Sequence, residues 1–404
     1  MLNKLPIILM LVLFVSCSDS DTREYGNIFA DKGRSSSFEN IEDFQYQIFS
    51  QKVIDSSSGA TCPPLLLSNE QYILSTEDGK IISTLYNEKI WEYRLDSGSF
   101  VGAGFAADVK NSVYTIDNLG KIYSLDSTGK LRFSDQLFIP TKLEIFNTPL
   151  ALKDVIVFSS SDGNLAIIDK SGKELYKKNY NSSILDYVSA IDDENILVTL
   201  SNNQFGVTDT LVCLGTDGTE KWRYSADGYR FVKGAISNGT NIAISGSLQG
   251  GEDPLSKIFY LDGSGKKLWD KEITNIPRFL SMSKKGELYL VSYSSAMGQM
   301  LSGIFSYSTK GELTWKIYYE YSIPMPVYIS ENELMFIASN RETYGLFYLQ
   351  RTDGKLKKSL EIGEVHPIIF YPEVENSGLI KFVGKETLRL VQIDETAISK
   401  ILPY

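Results

Sequence analysis

Glycines that recur at a period in the mid-forties constrain the fold of this chain more than any other sequence feature. The turn glycines are separated by 43, 46, 47, 46 and 43 residues; they are Gly129, Gly172, Gly218, Gly265, Gly311 and Gly354. Trp222, Trp269 and Trp315 repeat at intervals of 47 and 46 residues. Because a period of this length accommodates four short strands and their turns, the spacing predicts a ring of repeated antiparallel sheets.

Each period repeats one pattern: an apolar strand, an Asp-Gly or Asn-Gly turn, a second strand, a Gly turn and a strand with an aromatic residue. Two examples are TEDGKIISTLYNEKIWEY and DNLGKIYSLDSTGKLRF. Gly supplies positive φ in such hairpins and Asp or Asn caps them, whereas a calcium loop needs ligands spread over about a dozen residues. We expect the aromatic side chain to dock over the hairpin of a neighbouring blade, with Trp91, Phe133 and Tyr176 in this role in the first three repeats.

The repeats predict an all-β fold, a single eight-bladed β-propeller of four-stranded antiparallel blades, with seven blades as the alternative. The predicted inner strands begin near Leu65, Val101, Phe146, Val188, Val232, Leu280, Val327 and Ile368. The segment from Phe44 to Ile54 alternates like a strand and precedes the first blade. We expect this N-terminal strand to complete the last blade and close the ring, so that no sheet edge is exposed.

The N-terminus has the features of an export signal. Lys4 precedes an apolar run from Leu5 to Val15 that is too short to span a bilayer. The next residues, Ser16 and Cys17, complete a tetrapeptide that resembles a bacterial lipobox, which implies acylation of Cys17. The sequence therefore predicts a lipoprotein signal peptide at 1–16, a flexible polar tether at 17–43 and the propeller at 44–404, while a secretory signal with an incidental cysteine remains the alternative.

Charge and composition exclude several function classes. A net charge of −10 disfavours binding to nucleic acid. His366 is the only histidine and cannot form a histidine-rich metal site. Cys62 and Cys213 fall in opposite parts of the predicted ring and are expected to be buried free thiols. We predict no catalytic residue, no metal site and no cofactor.

The longest loops of the repeats indicate a candidate partner surface. Connections between the second and third strands are extended in blades four to seven, at 203–209, 247–257, 294–302 and 340–345. These loops mix polar and adaptable apolar side chains, as partner surfaces do; the candidate partner-binding residues are Gln249, Glu252, Asp253, Met297, Met300, Arg341 and Tyr344. Plain variation in loop length is an equally good explanation.

The repeat resembles the pyrroloquinoline-quinone-type repeat of quinoprotein propellers from about Phe44 to the C-terminus. Quinoprotein dehydrogenases add a vicinal cysteine pair, which this chain lacks, so the resemblance implies the fold and not the activity. Among lipid-anchored propellers of this type, the architecture resembles the propeller lipoprotein of the outer-membrane β-barrel assembly machinery. The resemblance implies a monomeric, non-enzymatic scaffold, anchored to the bacterial outer membrane by its N-terminal lipid, that binds an envelope protein. The alternative is an enzyme or sensor that binds a quinone, a sugar or calcium in the central channel.

Overall fold

The structure is a computed structural model. It describes residues 37, 52–55, 58–85, 88–140, 145–202, 208–248, 255–296, 299–339, 344–361, 373–374, 380–381 and 388–390. All helix and strand assignments in these ranges are β-strand, as predicted. The first strand, β1 (Lys52–Asp55), precedes seven antiparallel sheets, which we call blades 1 to 7 in chain order.

The first three blades each consist of four strands that run from the inside of the ring to the outside. Blade 1 contains β2 (Leu65–Leu66), β3 (Tyr72–Ser75), β4 (Lys80–Leu85) and β5 (Glu88–Arg94). Blade 2 contains β6 (Val101–Ala107), β7 (Val113–Asp117), β8 (Lys121–Leu125) and β9 (Leu131–Gln136). Blade 3 contains β10 (Leu150–Ala151), β11 (Val155–Ser159), β12 (Asn164–Asp169) and β13 (Glu174–Asn179).

Blades 4 and 5 have an inner strand in two pieces. Blade 4 contains β14 (Ser183–Ile184), β15 (Ser189–Ala190), β16 (Ile196–Ser201), β17 (Thr210–Leu214) and β18 (Glu220–Ser225). Blade 5 contains β19 (Tyr229–Phe231), β20 (Ile236–Ser237), β21 (Asn241–Leu248), β22 (Ser256–Asp262) and β23 (Lys267–Ile273). Blade 6 contains β24 (Ile276–Met282), β25 (Leu288–Ala296), β26 (Gln299–Tyr307) and β27 (Leu313–Tyr319). Blade 7 contains β28 (Tyr328–Ile329), β29 (Glu333–Ser339), β30 (Tyr344–Gln350) and β31 (Leu356–Glu361).

Strands from both ends of the chain close the ring, as predicted, and lie in two two-stranded sheets that make up a partial last blade, which we call blade 8. The C-terminal strands are β32 (Glu373–Val374), β33 (Ile380–Lys381) and β34 (Leu388–Leu390). β32 pairs with β33, and β34 pairs antiparallel with β1, with Lys52 opposite Leu390. The inner strand β32 also lies against β2 of blade 1. The closing strand is thus the end of the predicted segment; residues 44–51 and the predicted start of the last inner strand at Ile368 lie outside the described residues.

The antiparallel order of the strands gives each blade two distinct ends. Turns from the first to the second strand and from the third to the fourth lie at one end, which we call the turn face. Loops from the second to the third strand, and the crossovers between blades, lie at the other end, which we call the crossover face. The four extended loops of the sequence analysis all join second and third strands and therefore belong to the crossover face.

The hydrophobic core is divided into clusters that lie between successive blades. One cluster joins Leu65 and Ile73 of blade 1 to Val101 and Tyr123 of blade 2. Five further clusters join blades 2 and 3, 3 and 4, 4 and 5, 5 and 6, and 6 and 7 in the same manner. Because each sheet buries both faces, its central strands read as continuous apolar runs, for example Val155–Ser159, in which every residue is buried.

Aromatic side chains of the outer strands dock on the hairpin of the next blade, as predicted. The Trp222 ring of blade 4 covers Gly265 of blade 5, and its Nε1 donates a hydrogen bond of 3.2 Å to the carbonyl of Gly263. The same contact joins five other pairs. Three have Trp and two have Phe or Tyr in its place; they are Trp91 with Gly129, Trp269 with Gly311, Trp315 with Gly354, Phe133 with Gly172 and Tyr176 with Gly218. A ring bound to the neighbouring backbone fixes how far each blade rotates relative to the next.

The inner strands of blades 4 and 5 are irregular. In blade 4 the piece β15 begins beside the predicted start at Val188, and it is separated from β14 by a break in which Asp186 adopts a positive φ of 44° and Tyr187 forms a parallel bridge with Thr148 of blade 3. In blade 5 the predicted strand near Val232 is broken between β19 and β20. Lys233 of that break pairs with Asp186 at 3.0 Å, so an ion pair joins the two irregular segments across the blade interface.

Aspartates cap the hairpins between the third and fourth strands. Oδ1 of Asp262 accepts hydrogen bonds from the Ser264 hydroxyl at 2.6 Å and from the backbone N–H groups of Ser264 and Lys266. Asp126, Asp169 and Asp217 cap their hairpins through a hydroxyl two residues further on. That hydroxyl is the largest of the causes that lower the pKa of each of the four carboxyl groups.

The two cysteines of the propeller are free and buried, as predicted. Burial raises the pKa of Cys62 to about 12 and that of Cys213 to about 11. The Cys62 thiol also lies 2.9 Å from the Ser75 hydroxyl. Both thiols therefore remain protonated near neutral pH and act as small core residues.

Substitution of a turn glycine tests the aromatic contact. We expect Gly265→Ala to lower the free energy of unfolding by about 2–4 kcal/mol, because φ at this position is +81° and the new Cβ would lie 2.5 Å from the Trp222 ring. Gly98→Ala is the matched control, since φ is +82° there and no atom lies within 4 Å of the new Cβ. Urea unfolding of both variants measures the difference. Equal destabilisation would show that backbone strain, and not the indole, makes Gly265 necessary.

The four capping aspartates predict a loss of stability in acid. A carboxyl whose pKa is lower in the folded state stabilises the fold above its unfolded pKa of about 3.9, and this stabilisation is lost as the pH falls through the folded value. We expect the urea midpoint to fall as the pH is lowered below about 4, and Asp→Asn at positions 126, 169, 217 and 262 together to reduce this dependence on pH. An unchanged dependence in the fourfold variant would assign the acid sensitivity to other carboxyl groups.

Candidate functional site

The predicted partner-binding residues lie at the margin of the described structure. Gln249, Glu252, Asp253, Met297 and Arg341 lie outside the described residues. Met300 and Tyr344 lie in β26 and β30, but their side chains are not described. Cys17 and His366 are also outside the described ranges. One loop differs from the prediction: most of 294–302 is strand, because β25 extends to Ala296 and β26 resumes at Gln299.

Exposed apolar side chains identify a different surface on the same face. Twelve large hydrophobic residues are exposed among those described, and five of them lie singly on outer strands. Four of them lie on neighbouring segments of the crossover face of blades 2 and 3; they are Phe100, Leu119, Ile139 and Ile145, with exposed fractions of 37%, 45%, 87% and 69%. We call these four residues the crossover patch. Contiguous exposed apolar groups of this kind mark interaction sites on soluble proteins.

Hydrogen bonds fix one end of the crossover patch to the blade 2 loop. The backbone of Phe100 and that of Asn118 are joined by a hydrogen bond of 3.0 Å, and the Asn118 side chain accepts a second from the Phe100 N–H at 2.9 Å. Gln136 Nε2 donates a hydrogen bond of 2.7 Å to the carbonyl of Leu119 and another to the carbonyl of Phe138. The loop before β8 and the crossover after β9 are therefore held side by side.

The long crossover from blade 2 to blade 3 carries the other end of the patch. Phe138 and Phe146 are buried and stack with ring centroids 5.9 Å apart, which leaves the adjacent Ile139 and Ile145 on the outside. Two hydrogen bonds join Ile145 to Ser161 in the next hairpin. The Ile145 N–H donates to the Ser161 hydroxyl at 3.0 Å, and the Ser161 N–H donates to the Ile145 carbonyl at 2.8 Å. Packing under the crossover thus presents its two isoleucines to solvent.

Acidic groups border the crossover patch. Asp96, Asp135 and Asp162 are exposed on the strand ends and hairpins that flank it. Asp96 pairs with Lys121 at 2.8 Å, and the hydrogen bond from that lysine lowers the pKa of the Asp96 carboxyl. An apolar centre with a charged rim is the usual composition of a protein-binding surface. The geometry suits a partner that combines apolar side chains with basic flanking groups.

Other kinds of site were sought in the same residues. Across the described ranges, no group of three or more His, Cys, Asp or Glu side chains is arranged to hold a metal ion. Within those ranges there is also no helix long and apolar enough to cross a membrane.

Sequence reasoning missed the crossover patch because it searched the extended loops of blades 4 to 7. The signal that could have found it is the segment 137–149, which has apolar residues outside any strand period and a proline after Ile139. The two phenylalanines are the core residues of this segment and the two isoleucines are not. That distinction depends on the tertiary structure, since all four are apolar.

The fold and repeat define the class of the protein: it is an all-β propeller, and its repeats resemble those of the pyrroloquinoline-quinone type. The family model described as outer membrane protein assembly factor BamB matches residues 72–210, which include most of blades 1 to 4. Over these residues the chain therefore resembles the quinoprotein-type propeller BamB. No curated protein sequence matches the chain at a significant level.

Solved propellers share the fold across most of the chain. The crystal structure of BamB from Moraxella catarrhalis is 13% identical, with a TM-score of 0.54 over 87% of this chain and 98% of that one. The C-terminal WD40 domain of Sif2 is 12% identical, with a TM-score of 0.60 over 86% and 99%. The Dos1 propeller is 10% identical, with a TM-score of 0.57 over 87% and 96%. At these identities the similarity shows a common fold and leaves function to the surface.

Replacing the two most exposed residues tests whether the crossover patch is a free surface. We expect Ile139→Ser with Ile145→Ser to change the free energy of unfolding by less than about 1 kcal/mol, because both side chains contact mostly solvent. The variant should also elute earlier in hydrophobic-interaction chromatography. Leu175→Ser with Leu268→Ser is the control, since these residues are exposed singly on β13 and β23. A marked fall in the unfolding midpoint would show that the isoleucines are packed.

Proposed function

We propose that this protein is a membrane-anchored, non-enzymatic propeller scaffold that binds a protein partner in the bacterial cell envelope and acts in outer-membrane protein assembly. The crossover patch is the observation that carries the proposal, because it exposes four large apolar side chains at one position on an otherwise acidic protein. The match of residues 72–210 to the BamB model supports the same assignment.

The membrane anchor in this proposal is the acylated Cys17. The predicted tether of 17–43 leads to β1, and β1 lies in blade 8 beside β34. The crossover patch lies on blades 2 and 3, so blade 1 separates it from blade 8, where the tether enters the ring. A partner could therefore bind the patch while the lipid remains in the outer membrane.

The partner surface that fits the crossover patch is apolar with basic flanks. Ile139 and Ile145 would be covered on binding, and complete burial of an isoleucine contributes about 1.5–3 kcal/mol. Lys or Arg side chains of the partner would face Asp135 and Asp162, which steers association more than it adds affinity. Apolar and charged contacts of this kind would be enough for the scaffold to bind its partner without catalysing a reaction.

Site-specific photocrosslinking in native membranes tests the proposal. We expect a benzoylphenylalanine at position 139 or 145 to capture one envelope protein, identified as a component of outer-membrane protein assembly. The same probe at position 268, which is exposed singly on blade 5, is the matched control and should give no such adduct. Ile139→Asp, with the probe at 145, should reduce the yield at least about tenfold.

Two results would contradict the proposal. Capture at position 268 as strong as at 145 would mean that the crossover patch has no special role in binding. Recovery of the Cys17→Ser variant in membranes, at the level of the unaltered chain and without incorporation of labelled fatty acid, would disprove the lipid anchor.

A further inference from the structure

A cleft of about 540 Å³ opens on the turn face between blades 6 and 7, away from the crossover patch. Trp315, Tyr307 and Ser308 of blade 6 line one side, and Arg351 and Thr352 of the blade 7 hairpin line the other. Lys284 and Lys285 stand at the mouth, in the turn between β24 and β25. Its volume is within the range of pockets that bind small ligands.

Thr314, which lines the cleft, has a short side chain. In the other described blades, the residue directly before the outer-strand aromatic position is long; these residues are Ile90, Arg132, Leu175, Lys221, Leu268 and Lys357. In blade 2, Arg132 extends along the sheet and donates hydrogen bonds to the Tyr114 hydroxyl at 2.8 Å and to Ser124 Oγ at 3.0 Å. The Thr314 hydroxyl, in contrast, bonds to the neighbouring Ser306; it lies 2.8 Å from Ser306 Oγ and 3.0 Å from the Ser306 carbonyl oxygen.

The floor of the cleft is rigid. Arg351 is 9% exposed and donates hydrogen bonds to the Tyr289 hydroxyl at 3.0 Å and to the carbonyl of Ser330 at 3.0 Å. It also pairs with Glu287 Oε2 at 2.6 Å, and its own carbonyl accepts 3.0 Å from Trp315 Nε1. Glu287 is thus neutralised by a buried partner across the blade interface. A preformed floor lowers the entropic cost of binding a ligand.

The mouth of the cleft favours an anion. Lys284 and Lys285 are exposed, and Asn238 holds their turn by donating to the carbonyls of Ser283 at 3.3 Å and Lys284 at 3.0 Å. Ser308 Oγ accepts the backbone N–H groups of Lys310 and Glu312 at 3.2 Å, so its own hydrogen can donate towards the cleft. Glu331 at the rim is the one further carboxylate among the described lining residues. The ammonium and hydroxyl groups therefore form a donor-rich mouth.

We propose that this cleft binds a carbohydrate that carries a carboxylate or phosphate group. The anionic group would contact Lys284 and Lys285, since charge-assisted hydrogen bonds are the strong ones. The sugar ring would lie beside Trp315, where an aromatic wall and the hydroxyls of Ser308 and Thr352 match a ligand that is apolar on its faces and polar at its edges. This site lies on the turn face and does not depend on the proposed protein partner.

Calorimetric titration of the full chain tests the site with three disaccharides: one with a uronic acid, one with a phosphate monoester and one that is neutral. We expect the two acidic sugars to bind and the neutral one to bind at least about tenfold more weakly. Lys284→Met with Lys285→Met should remove this preference, while Lys110→Met, in the corresponding turn of blade 2, should keep it. The relative affinity of the two acidic sugars identifies the preferred anion.

Variants at Thr314 test the part of the cleft where the sugar ring would lie, without a change of charge. Thr314→Leu, which places the residue of blades 3 and 5 at this position, should weaken binding of the acidic sugars about tenfold or more, and Thr314→Ser should retain it. The double lysine variant keeps the test valid if Thr314→Leu unfolds. Equal binding to the Leu and Ser variants, equal affinity for acidic and neutral sugars, or displacement of the sugar by an equal concentration of inorganic phosphate would each overturn the proposal.

Discussion

The contact between an outer-strand aromatic ring and a glycine in the next blade is the interaction on which the ring depends. It occurs at six successive blade interfaces, from Trp91 on Gly129 to Trp315 on Gly354. At four of them the indole also donates a hydrogen bond to a hairpin carbonyl. Because the ring fits only where the receiving residue has no Cβ, the contact sets both the register and the rotation between blades. The apolar clusters between the sheets then form in a fixed geometry.

The fixed rotation between successive blades also explains why β1 can close the ring. A series of sheets that rotate by a fixed angle brings the last sheet beside the first, and the contact of β32 with β2 marks that meeting. If the last blade were made from the C-terminus alone, β34 would leave an exposed edge; pairing with β1 covers it. The N-terminal strand is therefore a structural part of the domain, and any N-terminal anchor must join the ring at blade 8.

The parts of the fold that could be predicted from sequence are those fixed by local chemistry. Gly265 needs a positive φ, Asp262 caps its own hairpin and Trp222 recurs at a constant distance, so each is visible in a single repeat. The break in the inner strand of blade 4 is not visible, because it results from pairing of Tyr187 with Thr148 in another blade. The crossover patch is hidden for a similar reason, since exposure of Ile139 depends on how Phe138 packs. Irregular features that depend on the neighbouring blade escape a reading of single repeats.

A ring of equivalent blades makes its own exceptions informative. Each position in one blade has counterparts in the others, so the usual structural role of that position is known within the same molecule. Arg132 shows what the position of Thr314 does when it serves packing: it fills the space beside a tyrosine and a serine. Thr314 does not make this contact in blade 6. Arg351 from the next blade donates a hydrogen bond to the corresponding tyrosine, Tyr289, instead. Six other blades carry a longer side chain at this position. The cleft is bordered by this short residue and by the ion pair between buried Arg351 and partly exposed Glu287, which is the arrangement that we interpret as a ligand site.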